Sequence, residues 1–298
     1  MSDPNPVRTL MVATDFSAPA SAALAWARDL AKEHHARLIV IHALEVGLPD
    51  VDYLPRESTA GGELQAAVGA RLEELVAPIV DAGIDVKLIV ELGIASEAIV
   101  RAVNEHQPDL LVIGNRGGGG FLRLLVGSTA QRLARRAACP VLTVHEDDKH
   151  RTTRTILVPT DFSHDAEAAA ATASRLLHPA ENAKLVLVHA FHLPVEYTAY
   201  GAIPTTFHFR DDVLGPTQER LEALAARLAR PGLEICCEVR EGAPAEIVAE
   251  LAKELSVDLI AMGTHGRSGL AHVLLGSTAE RVLAIAPCPV LTVRHPQA

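Results

Sequence analysis

Aromatic side chains are scarce in this chain, at 3% of 298 residues, with one Trp, three Tyr and six Phe. A core without them has to be built from Ala, Val, Leu and Ile, as in parallel sheets covered by helices. Long apolar runs are also missing: nothing approaches the roughly 20 residues of a membrane-spanning helix. The opening Met1-Ser2-Asp3-Pro4-Asn5-Pro6 reads as having neither the basic nor the apolar region of a secretory signal. Positive charge is in deficit. A formal charge of −10 argues against non-specific nucleic-acid binding, which needs a basic face. Cysteine is limited to Cys139, Cys236, Cys237 and Cys288, without metal-type spacing. Cys139 and Cys288 each precede a proline at matched places, which suggests a shared buried loop position and not a disulfide. The simplest reading is a reduced, cytoplasmic protein. Two catalytic signatures are absent. No Gly is followed by Lys, which excludes the P-loop of common NTPases, and Gly-x-Ser-x-Gly does not occur, so a hydrolase elbow is unsupported.

What is present is a folded composition, 49% hydrophobic and 21% charged, long enough for two domains. The chain is one unit written twice. Thr9-Leu-Met-Val-Ala-Thr-Asp-Phe-Ser17 returns as Thr155-Ile-Leu-Val-Pro-Thr-Asp-Phe-Ser163, and Leu38-Ile-Val-Ile-His-Ala43 returns as Leu185-Val-Leu-Val-His-Ala190. Cys139-Pro-Val-Leu-Thr-Val144 returns as Cys288-Pro-Val-Leu-Thr-Val293, and the offset drifts only from 146 to 149 residues. The expected domains are 1–146 and 152–298, joined by the polar run Glu146-Asp-Asp-Lys-His-Arg151.

Each copy alternates short apolar runs with helical patterns. The pattern predicts strands near 8–14, 37–43, 84–91, 109–114 and 140–145, then near 154–160, 184–190, 233–240, 258–263 and 289–294. Helices are expected near 17–34, 63–82, 95–106 and 128–137, with counterparts in the second copy. Alternation of this kind implies a doubly wound α/β fold with a parallel sheet. Segments 45–62 and 192–216 differ most between the copies and read as loops near the sheet's carboxyl edge, with Tyr53, Tyr197, Tyr200, Phe207 and Phe209 among them.

The stretch richest in chemical meaning is Gly263-Thr264-His265-Gly266-Arg267-Ser268-Gly269, followed by Gly276-Ser277. It leaves a strand and enters a helix, where free amides and the helix dipole favour an anion. Its counterpart is Gly114-Asn115-Arg116-Gly117-Gly118-Gly119-Gly120, followed by Gly127-Ser128. The plainer reading is that these glycines only make tight turns. Ser128, Ser277, His265, Arg116 and Arg267 add hydroxyl or basic chemistry that a turn does not need. Gly118 stands where the second loop has Arg267, a fork suited to phosphate, so the second site is expected to bind more tightly. Asp15 and Asp161 end central strands. They suit a ribose hydroxyl, a base edge or hydrated Mg²⁺, or equally a helix cap. His42 and His189 read as packing or backbone-bonded residues. No general base is evident beside the loops, so no catalytic residue is assigned and ATP turnover, where it occurs at all, is expected to be slow.

Thr-Asp-Phe-Ser after the first strand, His-Ala at the second, and Gly-x-x-Gly-(nine)-Gly-Ser before Pro-Val-Leu-Thr-Val together resemble the universal stress protein family. The resemblance covers both copies. It implies two tandem Rossmann-like domains of the adenine nucleotide α-hydrolase type, each a five-stranded parallel sheet with helices on both faces. It also implies ATP as ligand, alone or with Mg²⁺. Carried over, Ala13 with Asp15, or Pro159 with Asp161, would lie against the nucleoside, and Ala43 or Ala190 against adenine. Gly114, Gly117, Gly127 and Ser128, or Gly263, Gly266, Gly276 and Ser277, would wrap the phosphates. Ala13 departs from the more usual proline. Family members pair through the last strand, so the two copies are expected to form an intramolecular pseudo-dimer, and two chains to associate as a homodimer. The reading is a nucleotide-responsive stress-response module. Its rivals are a nucleotide-dependent transferase or hydrolase using the same crevice, and an interaction scaffold that binds no nucleotide.

Overall fold

The structure is a computed structural model that describes residues 7–45, 59–115, 127–148, 152–177, 183–191, 195–198, 201–204, 207–266 and 275–295. Its contacts divide into two units, Met1–Thr152 and Thr153–Ala298.

The first unit runs β1 (Thr9–Ala13), α1 (Ala18–His34), β2 (Arg37–Leu44), α2 (Thr59–Asp81), β3 (Val86–Leu92), α3 (Ala95–His106), β4 (Leu110–Gly114), α4 (Ser128–Arg136) and β5 (Val141–Val144). Its strands lie in the order β3-β2-β1-β4-β5, and every pairing among them is parallel. β1 is central because its interior can bury on both faces: Leu10, Met11 and Val12 are fully buried. α1 presents Ala20, Ala23, Leu24, Ala27, Leu30 and Ala31 to the sheet, the spacing of a one-faced helix. Alanine dominates that face, so the helix backbone lies close to the strands. On the other side Met11, Ile39, Ile41, Ile99, Leu111, Ile113 and Leu133 form a second apolar layer under α3 and α4.

The second unit repeats the plan with β6 (Thr155–Pro159), α5 (His164–Leu176), β7 (Ala183–Phe191), β8 (Val195–Thr198), β9 (Gly201–Pro204), α6 (Phe207–Leu228), β10 (Leu233–Glu241), α7 (Pro244–Glu254), β11 (Leu259–Gly263), α8 (Ser277–Ile285) and β12 (Val290–Val293). Its parallel order is β10-β7-β6-β11-β12. The expected fold class holds. One segment was misread. Residues 192–216 were expected to be loop, yet β8 and β9 pair as an antiparallel hairpin and α6 already begins at Phe207. Thr198 pairs with Gly201 at the closed end of the hairpin. Pro216, inside α6, disguises the helix, because proline reads as a helix boundary. α2 likewise starts at Thr59, earlier than expected, and holds Pro78 within it. Residues 46–58, with Tyr53, and Tyr200 lie outside the described residues.

α1 and α5 begin in the same way. Ser17 Oγ accepts the Ala20 amide and Ser163 Oγ accepts the Ala166 amide, both at 3.3 Å. Replacing either serine with alanine is expected to cost about 1 kcal/mol, measurable as a lower urea midpoint with an unchanged slope. All four cysteines are free. Burial pushes the Cys139 thiol up to about 12, so it stays protonated and unreactive. Cys236 and Cys237 occupy successive positions on β10, paired with Val186 and Leu187, and so face opposite sides of the sheet.

Candidate functional site

In each unit the chain leaves the central strand for a neighbour on either side, so the loops after the central and fourth strands part at the carboxyl edge. A cavity of about 380 Å³ opens there in the first unit, and Ala13, Asp15, Ala43, Gly114, Gly127 and Ser128 line it. Its apolar wall comes from Ile41, Ile99 and Leu133. The second unit has a cavity of about 230 Å³ bordered by Pro159, Asp161, Ala190, Gly263, Thr264, His265, Gly266, Gly276 and Ser277. The structure thus brings the described candidate residues of each copy together. Asn115 is the exception, buried at 1% exposure. Arg116, Gly117, Gly118, Gly119, Gly120, Arg267, Ser268 and Gly269 lie outside the described residues.

The glycines are required for different reasons. A Cβ on Gly114 would stand 2.6 Å from the Pro19 carbonyl carbon, and one on Gly263 would stand 2.8 Å from the Ala166 nitrogen. The first glycine of each loop therefore admits the first turn of α1 or α5 against the strand end. At Gly266 the obstacle is a side chain: a Cβ would lie 2.8 Å from Asp161 Oδ2. That glycine keeps the carboxylate open to the crevice.

Gly127 and Gly276 are N-caps without a side chain to cap the helix. Their own amides are already engaged, Gly127 N–H with Asn115 Oδ1 at 3.0 Å and Gly276 N–H with Thr264 O at 2.8 Å. The intrahelical ladder starts only with Gln131 to Gly127 O and Glu280 to Gly276 O, each at 3.0 Å. The amides of Ser128, Thr129 and Ala130, and of Ser277, Thr278 and Ala279, have no intrahelical acceptor. The donors at each mouth are thus the residues after the glycine, while the glycine closes the loop.

Asp15 and Asp161 each hold the turn before a helix and border a crevice. Their Oδ1 atoms accept the amides of Ser17 and Ser163, both at 3.0 Å, and both residues line a crevice. The turn is held by Phe16 and Phe162, each at φ 63°, a left-handed conformation that is unfavourable for a bulky residue. Packing offsets the strain. Phe16 lies between His42, at 4.9 Å between ring centroids, and the Arg71 guanidinium, at 4.1 Å. Phe162 lies between His189 at 5.1 Å and Arg220 at 3.9 Å. His42 and His189 are backbone-bonded as expected, with Nδ1 at 2.8 and 2.7 Å from the carbonyls of Thr14 and Thr160. Sequence reasoning missed Arg71 and Arg220. Their matched places in the two copies were the available signal.

The second loop is braced by a residue that sequence reasoning also passed over. Asp165, in the first turn of α5, accepts Thr264 Oγ1–H at 2.9 Å, His265 N–H at 3.0 Å and His295 N–H at 2.9 Å. His265 Nδ1 is 3.1 Å from the same carboxylate. Burial by itself would raise the Asp165 carboxyl, but the bonds from His295, Thr264 and His265 outweigh it and hold it below its ordinary value. The His265 ring, expected to supply positive charge to the crevice, is turned to this carboxylate. Pro19, which has no carboxylate, occupies the matched place in the first unit. Among the described residues no three His, Cys, Asp or Glu side chains converge.

The sequence model of the universal stress protein family matches residues 6–145 and 152–294. The chain belongs to the universal stress protein family. A universal stress protein of Mycolicibacterium smegmatis is 30% identical over 302 residues, covering 96% of each chain. Universal stress protein Rv2623 of Mycobacterium tuberculosis is 30% identical over 314 residues, covering 99% of each. Among solved structures, a universal stress protein of Archaeoglobus fulgidus superposes with a TM-score of 0.73 at 21% identity, covering 97% of this chain and 99% of that one. The tandem arrangement and the Rossmann-like fold are therefore shared along the length of this universal stress protein. Among the described residues no helix is long and apolar enough to cross a membrane.

Proposed function

We propose that both crevices bind an adenine nucleotide, with ATP as the ligand, and that the protein acts as a nucleotide-responsive binding module. The carrying observation is the pair of glycine-capped helix mouths, α4 and α8, each opening on a crevice that also holds a strand-end aspartate. Uncapped amides and the helix dipole suit phosphate oxygens. Asp15 and Asp161 suit ribose hydroxyls, and Ala43 and Ala190 leave room for a flat base. No catalytic role is assigned to the residues that border the crevices, and hydrolysis, where it occurs, is expected to be slow. The working domains are 1–146 and 152–298, and the cytoplasm suits the four free thiols.

Titration calorimetry tests this on protein stripped of co-purified nucleotide. Wild type is expected to bind two ATP per chain. Ala43→Phe and Ala190→Phe, which fill one crevice each, are expected to retain one site apiece. The site that survives in Ala43→Phe is expected to be the tighter, since only the second loop contains Arg267. No heat in wild type, or two sites in either variant, would sink the proposal.

A further inference from the structure

The first loop is closed by a side chain, and that side chain belongs to a buried series. Gly127 N–H donates to Asn115 Oδ1 at 3.0 Å. The Asn115 amide nitrogen therefore faces His145 Nε2, at 3.0 Å. An amide nitrogen only donates, so Nε2 accepts and the ring proton sits on Nδ1. Nδ1 lies 3.2 Å from Asp148 Oδ2, which also accepts His145 N–H at 2.7 Å. The Asp148 carbonyl accepts the Trp26 indole N–H at 3.1 Å. Burial is nearly complete: Asn115 is 1%, His145 5% and Trp26 2% exposed, and the Asp148 side chain is 5% exposed.

We propose that Asn115, His145, Asp148 and Trp26 form a positioning relay that sets the α4 mouth of the first crevice and transmits its occupancy to the Trp26 indole. The occupancy half of this statement rests on the nucleotide reading above. Each bond has one proton direction, and burial denies its members exchange with water, so a shift at one end is passed along the series and not absorbed by solvent. An anion on the amides of Ser128 and Thr129 pulls on the residue just before them, Gly127, whose own amide is the first link. Among the described residues the second unit has no equivalent. Thr264, Arg294 and Thr172 stand at the matched places, and Gly276 closes its loop on a backbone oxygen. The second crevice is thus a silent internal control.

Trp26 is the chain's only tryptophan, so a nitrogen–proton correlation spectrum of the full chain contains one indole peak. Wild type is expected to show His145 as the neutral Nδ1–H tautomer. Its indole peak is expected to move and saturate during ATP titration. In Asn115→Thr, which adopts the second unit's residue, the indole shift is expected to vanish and first-site affinity to fall about 10-fold, with the second site unchanged. An Nε2–H tautomer at His145, a stationary indole peak while calorimetry shows ATP bound in the first crevice, or an undiminished shift in Asn115→Thr would overturn the relay. Should calorimetry show no ATP binding, the nucleotide reading fails on its own. The positioning half is then decided by exchange of the Gly127 amide in Trp26→Phe, where exchange about 10-fold faster than wild type supports it and an unchanged rate refutes it.

Discussion

Gly114→Ala is expected to destabilise the first unit by about 3 kcal/mol and lower its melting temperature by roughly 10 °C, without any ligand present. The new Cβ would meet the Pro19 carbonyl carbon at 2.6 Å and the Ala20 nitrogen at 2.7 Å. Both are main-chain atoms in the first turn of α1, so no rotamer change relieves the contact. α1 would have to lift off β4, taking with it the buried face that includes Ala20, Ala23 and Ala27. Gly263→Ala should do the same to the second unit, where the Ala166 nitrogen, the Asp165 carbonyl carbon and Asp165 Cβ all stand at 2.8 Å. Calorimetric unfolding of the ligand-free variants checks this. A glycine needed only to make room for phosphate would leave apo stability unchanged, and that result would remove the packing role argued for it.

Asp165→Asn is expected to cost the second unit about 2 kcal/mol near neutral pH, in the range for disrupting charge-assisted hydrogen bonds. The carboxylate holds Thr264, His265 and His295 together, and an amide cannot accept from all of them. Acid should erase the difference. Because the folded Asp165 carboxyl lies below its ordinary value, its contribution is fully present above the unfolded value near 3.9. It is lost as pH falls through that value and on through the lower folded one. Urea unfolding at pH 7 and pH 3 should therefore show the gap between wild type and variant narrowing at the acidic end. A gap as wide at pH 3 as at pH 7 would mean that the charge is not the source of the stabilisation. The first unit, with Pro19 at the matched place, should not respond to this variant.

Much of the fold was legible because the strands are nearly continuous apolar runs. Leu10-Met-Val12 and Leu110-Leu-Val-Ile113 are buried on both faces, and only a sheet covered by helices on both sides asks for that pattern. Duplication supplied the rest, since the same order appears twice. The hairpin of β8 and β9 escaped because its runs are four residues each, too short to separate by periodicity from loop. α6 began earlier than read because Pro216 carries a boundary signal, yet the helix runs through it.

The candidate site divides along the same line. The order of motifs along the chain determined the family, the doubly wound sheets, and which residues gather at their carboxyl edges. These follow from local spacing, because a strand end, a loop and a helix mouth are neighbours in sequence. Only the tertiary structure decided what each residue does there. It made Gly114 and Gly263 seats for a helix turn, left the amides without an intrahelical acceptor to the residues after Gly127 and Gly276, and turned His265 to Asp165. It also placed Arg71 and Arg220 on the phenylalanines that hold Asp15 and Asp161, and tied Asn115 to Trp26 through His145 and Asp148. These contacts join residues about 30 to 120 positions apart. Their partners are fixed by how helices settle on the sheet, and that settling leaves no period in the sequence.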